Sequence, residues 1–331
     1  MKPNTSGWLS KPFLTAVLLG IGGFLYGYDS GIITPSLALK SFLVYFGNPS
    51  APLRGSIVSV YQAGAWLGSA SVGITSDRFG RRRAIAFGCI WGVIGGAIMA
   101  GAAHVAMLIM GRLLVGFAVG TITGVAPVFG AEIAKTHERA RITAVNQMMA
   151  AWGFFVALWT GVGEGKWHNS NQWRLGVAIQ SLPALLLGSG VLFVDESPRW
   201  LCLKGRYEEA EKAFRNYHYD GSNDDWPEVF TTELRAKTNA IVQVIHYSIS
   251  LIITQCSPIA LVDVGWKYYC PQILFILTNV LCAVIFAIFY PETRGKSLEE
   301  IDEIFGDVNV VHNTDLEEKV GVQEVEFRQR K

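Results

Sequence analysis

Between Lys11 and Lys40 the chain carries one charged residue, Asp29. The run around it, residues 13–40, is long enough to cross a bilayer, which takes about 20 apolar residues. A carboxylate in hydrocarbon is costly and usually faces a partner or a water-filled path. The predicted partner is Arg112, the only basic residue well inside a candidate span. At a rise of about 1.5 Å per residue, Asp29 lies roughly 22 Å above an inner end near residue 14. Arg112 lies roughly 10 Å below the outer surface, because its span descends from near residue 105. In a core about 30 Å thick these levels nearly coincide. A buried guanidinium also needs a carboxylate. Burial disfavours a charged carboxyl and a nearby cation favours it, so movement of one group past the other switches a proton on and off. A permanent ion pair that only locks two spans would use the same residues, and both readings stay open here.

Two further sets of side chains could do chemistry. Gln147 and its neighbour Asn146 lie in an otherwise apolar run. An amide donates and accepts at once, which serves a ligand hydroxyl or a neighbouring helix equally well. Asp77, Arg78, Arg81, Glu132, Arg139, Glu196 and Arg199 fall at the inner ends of candidate spans. Acids and bases gathered there can form ion pairs that hold an inner gate shut. A plain excess of positive charge explains Arg81, Arg82 and Arg83, but not Asp77, Glu132 or Glu196.

These groups need elements to position them. Half of the 331 residues are hydrophobic and 17% are charged, with 35 glycines and 10 tryptophans. That balance indicates an all-α polytopic membrane protein. The first span is expected over residues 13–35, retained rather than cleaved as a signal peptide. The second fits between Arg54 and Asp77. Arg83 to Arg112 holds two spans with a turn at residues 101–104. The fourth ends near 131, the fifth covers 142–162 and the sixth 175–194. A polar segment with helical charge pairing at 207–214 follows. Two more spans, near 241–261 and 271–290, bring the expectation to about eight. Lys and Arg crowd the candidate inner segments, with seven between Arg199 and Lys237. The outer loops hold only Lys40, Arg54, Lys166, Arg174 and Lys267. That asymmetry places both termini in the cytoplasm. The Asn4 sequon should then stay unglycosylated.

The loop Gly73-Ile-Thr-Ser-Asp77-Arg78-Phe-Gly80-Arg81-Arg82-Arg83 resembles the signature loop of the major facilitator superfamily. Five other stretches resemble its sugar porter branch: Gly27-Tyr28-Asp29-Ser30-Gly31, Gly111-Arg112-Leu-Leu-Val-Gly116, Ala131-Glu132, Glu196-Ser-Pro-Arg-Trp-Leu201, and residues 291–302 from Pro-Glu-Thr-Arg onward. Trp266-Lys-Tyr-Tyr269 resembles fungal members. The resemblance covers about residues 12–305. It implies two six-helix halves, of which the first, residues 1–194, is complete. A cytoplasmic linker with short helices (195–239), a two-span remnant of the second half (240–292) and a cytoplasmic tail (293–331) follow. Counterparts of the family's spans seven to ten are missing. Asp195, Lys135 and Ala140 depart from the usual Pro, Pro and Gly.

By this resemblance the chain is a plasma-membrane symporter lineage that moves a sugar or polyol with protons by alternating access. Asp29 and Arg112 would couple the proton, and Gln147, with Asn146 and Phe24, would contact substrate. The rival expectation is a truncated, non-transporting remnant or sensor-like protein, which forms an oligomer if it is stable. The lipid bilayer is the other partner. No cofactor, metal or nucleic acid is expected, and no enzyme activity, since the chain lacks a nucleophile elbow, a metal-ligand cluster and a phosphate loop. The five cysteines are expected as reduced thiols.

Overall fold

The computed structural model describes residues 11–134, 139–167, 169, 171–218, 241–251, 254–255, 280–281 and 284. Every one of the helices named below is in a unit spanning residues 1–272. The remaining residues, 273–331, form a separate unit. The apolar runs of the sequence become long helices: α1 (Lys11–Ala38), α3 (Ala51–Phe79), α4 (Arg81–Ala100), α5 (Val105–Ile133) and α6 (Arg139–Lys166), with short α2 (Lys40–Tyr45) after α1. The expected turn at 101–104 separates α4 from α5. The expected sixth span is two pieces, α7 (Gln172–Ile179) and α8 (Ser181–Val191). Pro183 explains the break: it cannot donate to the carbonyl of Ile179, and its ring crowds that same carbonyl. After the spans come α9 (Pro198–Leu203), α10 (Tyr207–His218) and an apolar helix, α11 (Ile241–Leu251).

Five stretches among the described residues are long and apolar enough to cross a membrane: Lys11–Ala38, Arg81–Ala100, Val105–Ile133, Arg141–Lys166 and Gln172–Val191. α3 is as long as α5, at 29 residues, but Ser56, Ser59, Gln62, Ser69 and Ser71 dilute its apolar character. The last expected span, 271–290, and the tail fall almost entirely outside the described residues, as do residues 219–239 of the linker.

Glycines set how closely these helices approach. A Cβ on Gly64 or Gly68 of α3 would strike the carbonyls of Leu113 and Phe117 on α5. In return, a Cβ on Gly116 or Gly120 would strike those of Tyr61 and Ala65. Both series climb together, so α3 and α5 run parallel with their backbones in contact. Small residues at four-residue spacing permit that approach. α1 meets α6 the same way: Gly23 and Gly27 face the backbone of Asn146 and Ala150, while Gly153 faces Phe24. α4 and α5 run antiparallel, with Gly95 against Gly111 and Val115. The core between them is apolar, including Leu25, Ile57, Ile85, Val115, Val119, Ile122 and Phe129, each at most 1% exposed.

Candidate functional site

The glycine seam between α3 and α5 fixes Arg112 before any charge is considered. It lies one turn before Gly116, which holds the carbonyl of Tyr61 against the α5 backbone. The Tyr61 ring therefore lies against the guanidinium, with Cζ 4.7 Å from the ring centroid. One turn earlier on α3, the carbonyl of Ile57 accepts from Arg112 Nε at 3.4 Å. From the opposite side α1 brings Asp29, whose Oδ1 accepts from Arg112 Nη1 at 2.8 Å. The acid and the base are 0% and 1% exposed. The similar depths expected from helical rise thus end in contact. The second oxygen, Oδ2, has no hydrogen-bond partner among the described residues, and nor has the Tyr61 hydroxyl. That hydroxyl nonetheless lies within electrostatic reach of the carboxyl. One oxygen of this buried acid is held by the guanidinium, and the Tyr61 hydroxyl is the donor that stands near the carboxyl.

The substrate candidates sit elsewhere along α1. Asn146 packs on the backbone of Gly23, six residues before Asp29, which is about 9 Å along a helix. Gln147 is exposed on α6. Phe24 stacks on Tyr28 at 6.3 Å between centroids and 15° between planes. No hydrogen bond or ion pair among the described residues joins Asn146 or Gln147 to Asp29 or Arg112.

Four of the expected gate residues converge at the end of the bundle where α3 turns into α4. Arg81 is buried there, 4% exposed. Its Nη2 and Nε donate to Glu132 of α5 at 2.9 and 3.0 Å. Its Nη1 donates to the carbonyl of Ser76 at 3.2 Å and to Asp77 at 3.4 Å. Glu196 arrives from the loop after α8 and closes the start of α4. Its carboxylate accepts from the backbone amides of Arg81 and Arg82 at 3.0 and 3.2 Å, and from Ser197 at 3.0 Å. An anion at that end of a helix meets the positive end of its dipole. Room for the carboxylate comes from Gly80, whose φ of 97° suits glycine and where a Cβ would collide with Glu196. Burial pushes the Glu196 carboxyl above its ordinary range, opposed by those three amides and by Arg81. Trp200 ties α9 into the cluster by donating from Nε1 to the Asp77 carbonyl at 3.0 Å. Arg199 is buried on α9. Arg78 is not gathered in: it is exposed, with its guanidinium 5.7 Å from the Phe79 ring. It lies on the last turn of α3, whereas Arg81 follows the break at Gly80 and opens α4. Arg139 opens α6, and its side chain lies outside the described residues.

The sequence reading missed Glu164. It ended the fifth span at 162, but α6 continues to Lys166, and Glu164 is 2% exposed. Its oxygens accept from the Gly176 amide at 2.8 Å and Ser36 Oγ at 3.1 Å. A face could have revealed it: Ala157, Gly161 and Glu164 follow i, i+4, i+7, and all three are buried. Arg174, expected only as a loop cation, donates to the carbonyls of Ala100 and Ala102 at 2.7 and 3.0 Å. It satisfies the end of α4, where a cation is favoured.

Known proteins resemble this chain in both sequence and fold. The family described as sugar (and other) transporter matches residues 15–226 and 225–305. The chain is 42% identical over 217 residues to an MFS-type transporter, criB, of Aspergillus cristatus, covering 66% of this chain and 47% of that one. It is 36% identical over 224 residues to the glucose transporter GlcP of Staphylococcus epidermidis, covering 65% and 47%. The chain thus spans about half the length of these relatives. Among solved structures it is similar to the proton:xylose symporter XylE bound to 6-bromo-6-deoxy-D-glucose, at a TM-score of 0.59 and 25% identity, covering 73% of this chain and 53% of that one. The inward-open xylose transporter XylE from E. coli matches at a TM-score of 0.66 and 19% identity, covering 88% and 99%, a likeness of fold.

Proposed function

The chain belongs to the sugar (and other) transporter family, and from that premise we propose that its lineage carries a sugar or polyol across the membrane together with protons. The observation that carries the reading is the Asp29–Arg112 contact, buried, at 2.8 Å, with one carboxylate oxygen unpartnered. A carboxyl held by a single guanidinium loses its proton as that guanidinium approaches and gains one as it withdraws. The similar solved protein XylE is a proton:xylose symporter, which supports the same pairing of sugar and proton here. Gln147, Asn146 and Phe24 would meet the substrate on the α1–α6 side. The Arg81, Asp77, Glu132 and Glu196 cluster would hold the opposite gate, with Arg78, Arg139 and Arg199 beside it. Residues 1–194 would form the first half, 195–239 a linker, 240–292 two further spans and 293–331 a tail. The Lys and Arg distribution favours cytoplasmic termini and a plasma-membrane protein.

A second reading has its own support. Trp152, Phe155, Trp159 and Gln147 are exposed on α6, and a polar group facing lipid costs several kcal/mol. A chain with this surface uncovered does not alternate between two open sides unless a second chain supplies the cover. Vesicles holding the purified chain decide between the readings. Accumulation of labelled sugar driven by a pH gradient, lost in Asp29→Asn while exchange persists, supports symport. Saturable uptake indifferent to pH makes the Asp29 pair a lock, and uptake no greater than in protein-free vesicles supports the second reading.

A further inference from the structure

A cavity of about 390 Å³ lies beside the Arg81 cluster, between the start of α4, the residues after α8, and helices α9 and α10. Its wall is charged, and the charges are not evenly matched. Arg206 lies against Glu209 in an exposed pair at 2.5 Å. Glu196 is taken by the backbone amides described above. Asp195 accepts from the Asn216 amide at 2.9 Å. Each lining acid has a hydrogen-bond partner, and the wall carries four cations against three carboxylates. Arg82 and Arg83 on α4 and Lys212 on α10 also line the cavity, and among the described residues no ion pair is formed by any of the three. The rest of the wall, Phe79, Ala86, Leu192, Trp200, Leu201 and Ala213, is largely apolar. Leu192 and Phe193 continue that surface outward, 53% and 90% exposed, immediately past the end of α8. The cavity thus opens at the level where spans end, with cations inside and an apolar lip.

We propose that this cavity binds a phosphoryl group, presented by an anionic lipid headgroup or by a soluble phosphate ester. Guanidinium forks match phosphate oxygens in pairs, and an ammonium adds a point charge. Basic pockets between helices on the cytoplasmic side are suited to such headgroups, and the proposed orientation puts this one there. Occupancy would bridge α4 to α10 and so brace the α3–α4 turn. The proposal stands on the cavity and would survive failure of the symport reading.

The test uses the full chain in phosphatidylcholine nanodiscs, with native mass spectrometry as the readout. The probes are phosphatidylinositol 4,5-bisphosphate added to the bilayer and inositol hexakisphosphate added in solution. Saturable binding of either probe is expected, weakened about fivefold by each of Arg82→Gln, Arg83→Gln and Lys212→Gln. Lys40→Gln with Arg54→Gln, outside the cavity, should leave it unchanged. Binding of the lipid alone assigns a headgroup site, and binding of the soluble probe at equal strength assigns a soluble ligand. Binding of neither probe, single variants as tight as the parent chain, or equal loss in the Lys40/Arg54 control would overturn the proposal.

Discussion

Two buried arginines anchor this molecule, and they are held in opposite ways. Arg81 at the α3–α4 turn is enclosed by two carboxylates and a carbonyl, while Glu196 is fastened to the backbone beside it. Arg112 in mid-bundle has one carboxylate, one long bond to a carbonyl and a tyrosine ring. The first arrangement draws on four segments of chain and loses much if any one moves. The second rests on a single close contact between α1 and α5, with an acceptor atom to spare. A lock is expected to be over-determined, whereas a switch needs two nearly balanced states. On this comparison we propose the turn cluster as the lock and the Asp29–Arg112 pair as the switch.

Removing each base is the sharpest way to break that contrast. Arg81→Met strands Glu132 and Asp77 together, and losing one partner of a buried ionic network costs about 3–5 kcal/mol. In detergent the apparent melting temperature should drop by about 10 °C. Arg112→Met should cost less, about 1–3 kcal/mol, because the single stranded carboxyl escapes by taking up a proton. Equal losses in the two variants would erase the distinction. Gly80→Ala tests the lock through the backbone. A non-glycine residue at a φ of 97°, crowding Glu196 as well, should cost about 1–3 kcal/mol, and the chain's resistance to proteolysis near Arg82 should fall with it.

The smallest effect concerns pH. Burial raises the Glu196 carboxyl above its ordinary value, so the folded chain binds this proton more readily than the unfolded chain does. The stabilising contribution of the protonated form is complete below the unfolded value and is lost as pH rises through the folded one. Relative to Glu196→Gln, the parent chain should therefore gain melting temperature on acidification from neutral pH. A gap between the two that widens the other way would show that the amides and Arg81 dominate over burial.

How much of this was legible beforehand differs between the two regions. The depth of Asp29 and Arg112 follows from counting residues along straight apolar runs, so their meeting could be anticipated. What counting could not supply is the seam that orients Arg112. Gly116 and Gly120 were visible as small residues, but their contact with Tyr61 and Ala65 depends on α3 running parallel to α5. At the turn, charge type alone nominated Arg78 equally with Arg81, and only the break at Gly80, which puts them on different helices, separates them. Glu164 was lost because a span was ended at its last apolar residue. Burial there depends on Gly176, whose lack of a side chain leaves room for the carboxylate, a contact from α7 that no local pattern encodes.

The claim that Asp29 is the switchable group can be measured without transport. Infrared spectra of the chain in nanodiscs report protonated carboxyls buried from water. The account predicts that removing the guanidinium in Arg112→Met adds such a band, which a further Asp29→Asn removes and a further Glu164→Gln does not. No added band in Arg112→Met, or one that persists after Asp29→Asn, would contradict it and leave the pair as a fixed brace between α1 and α5.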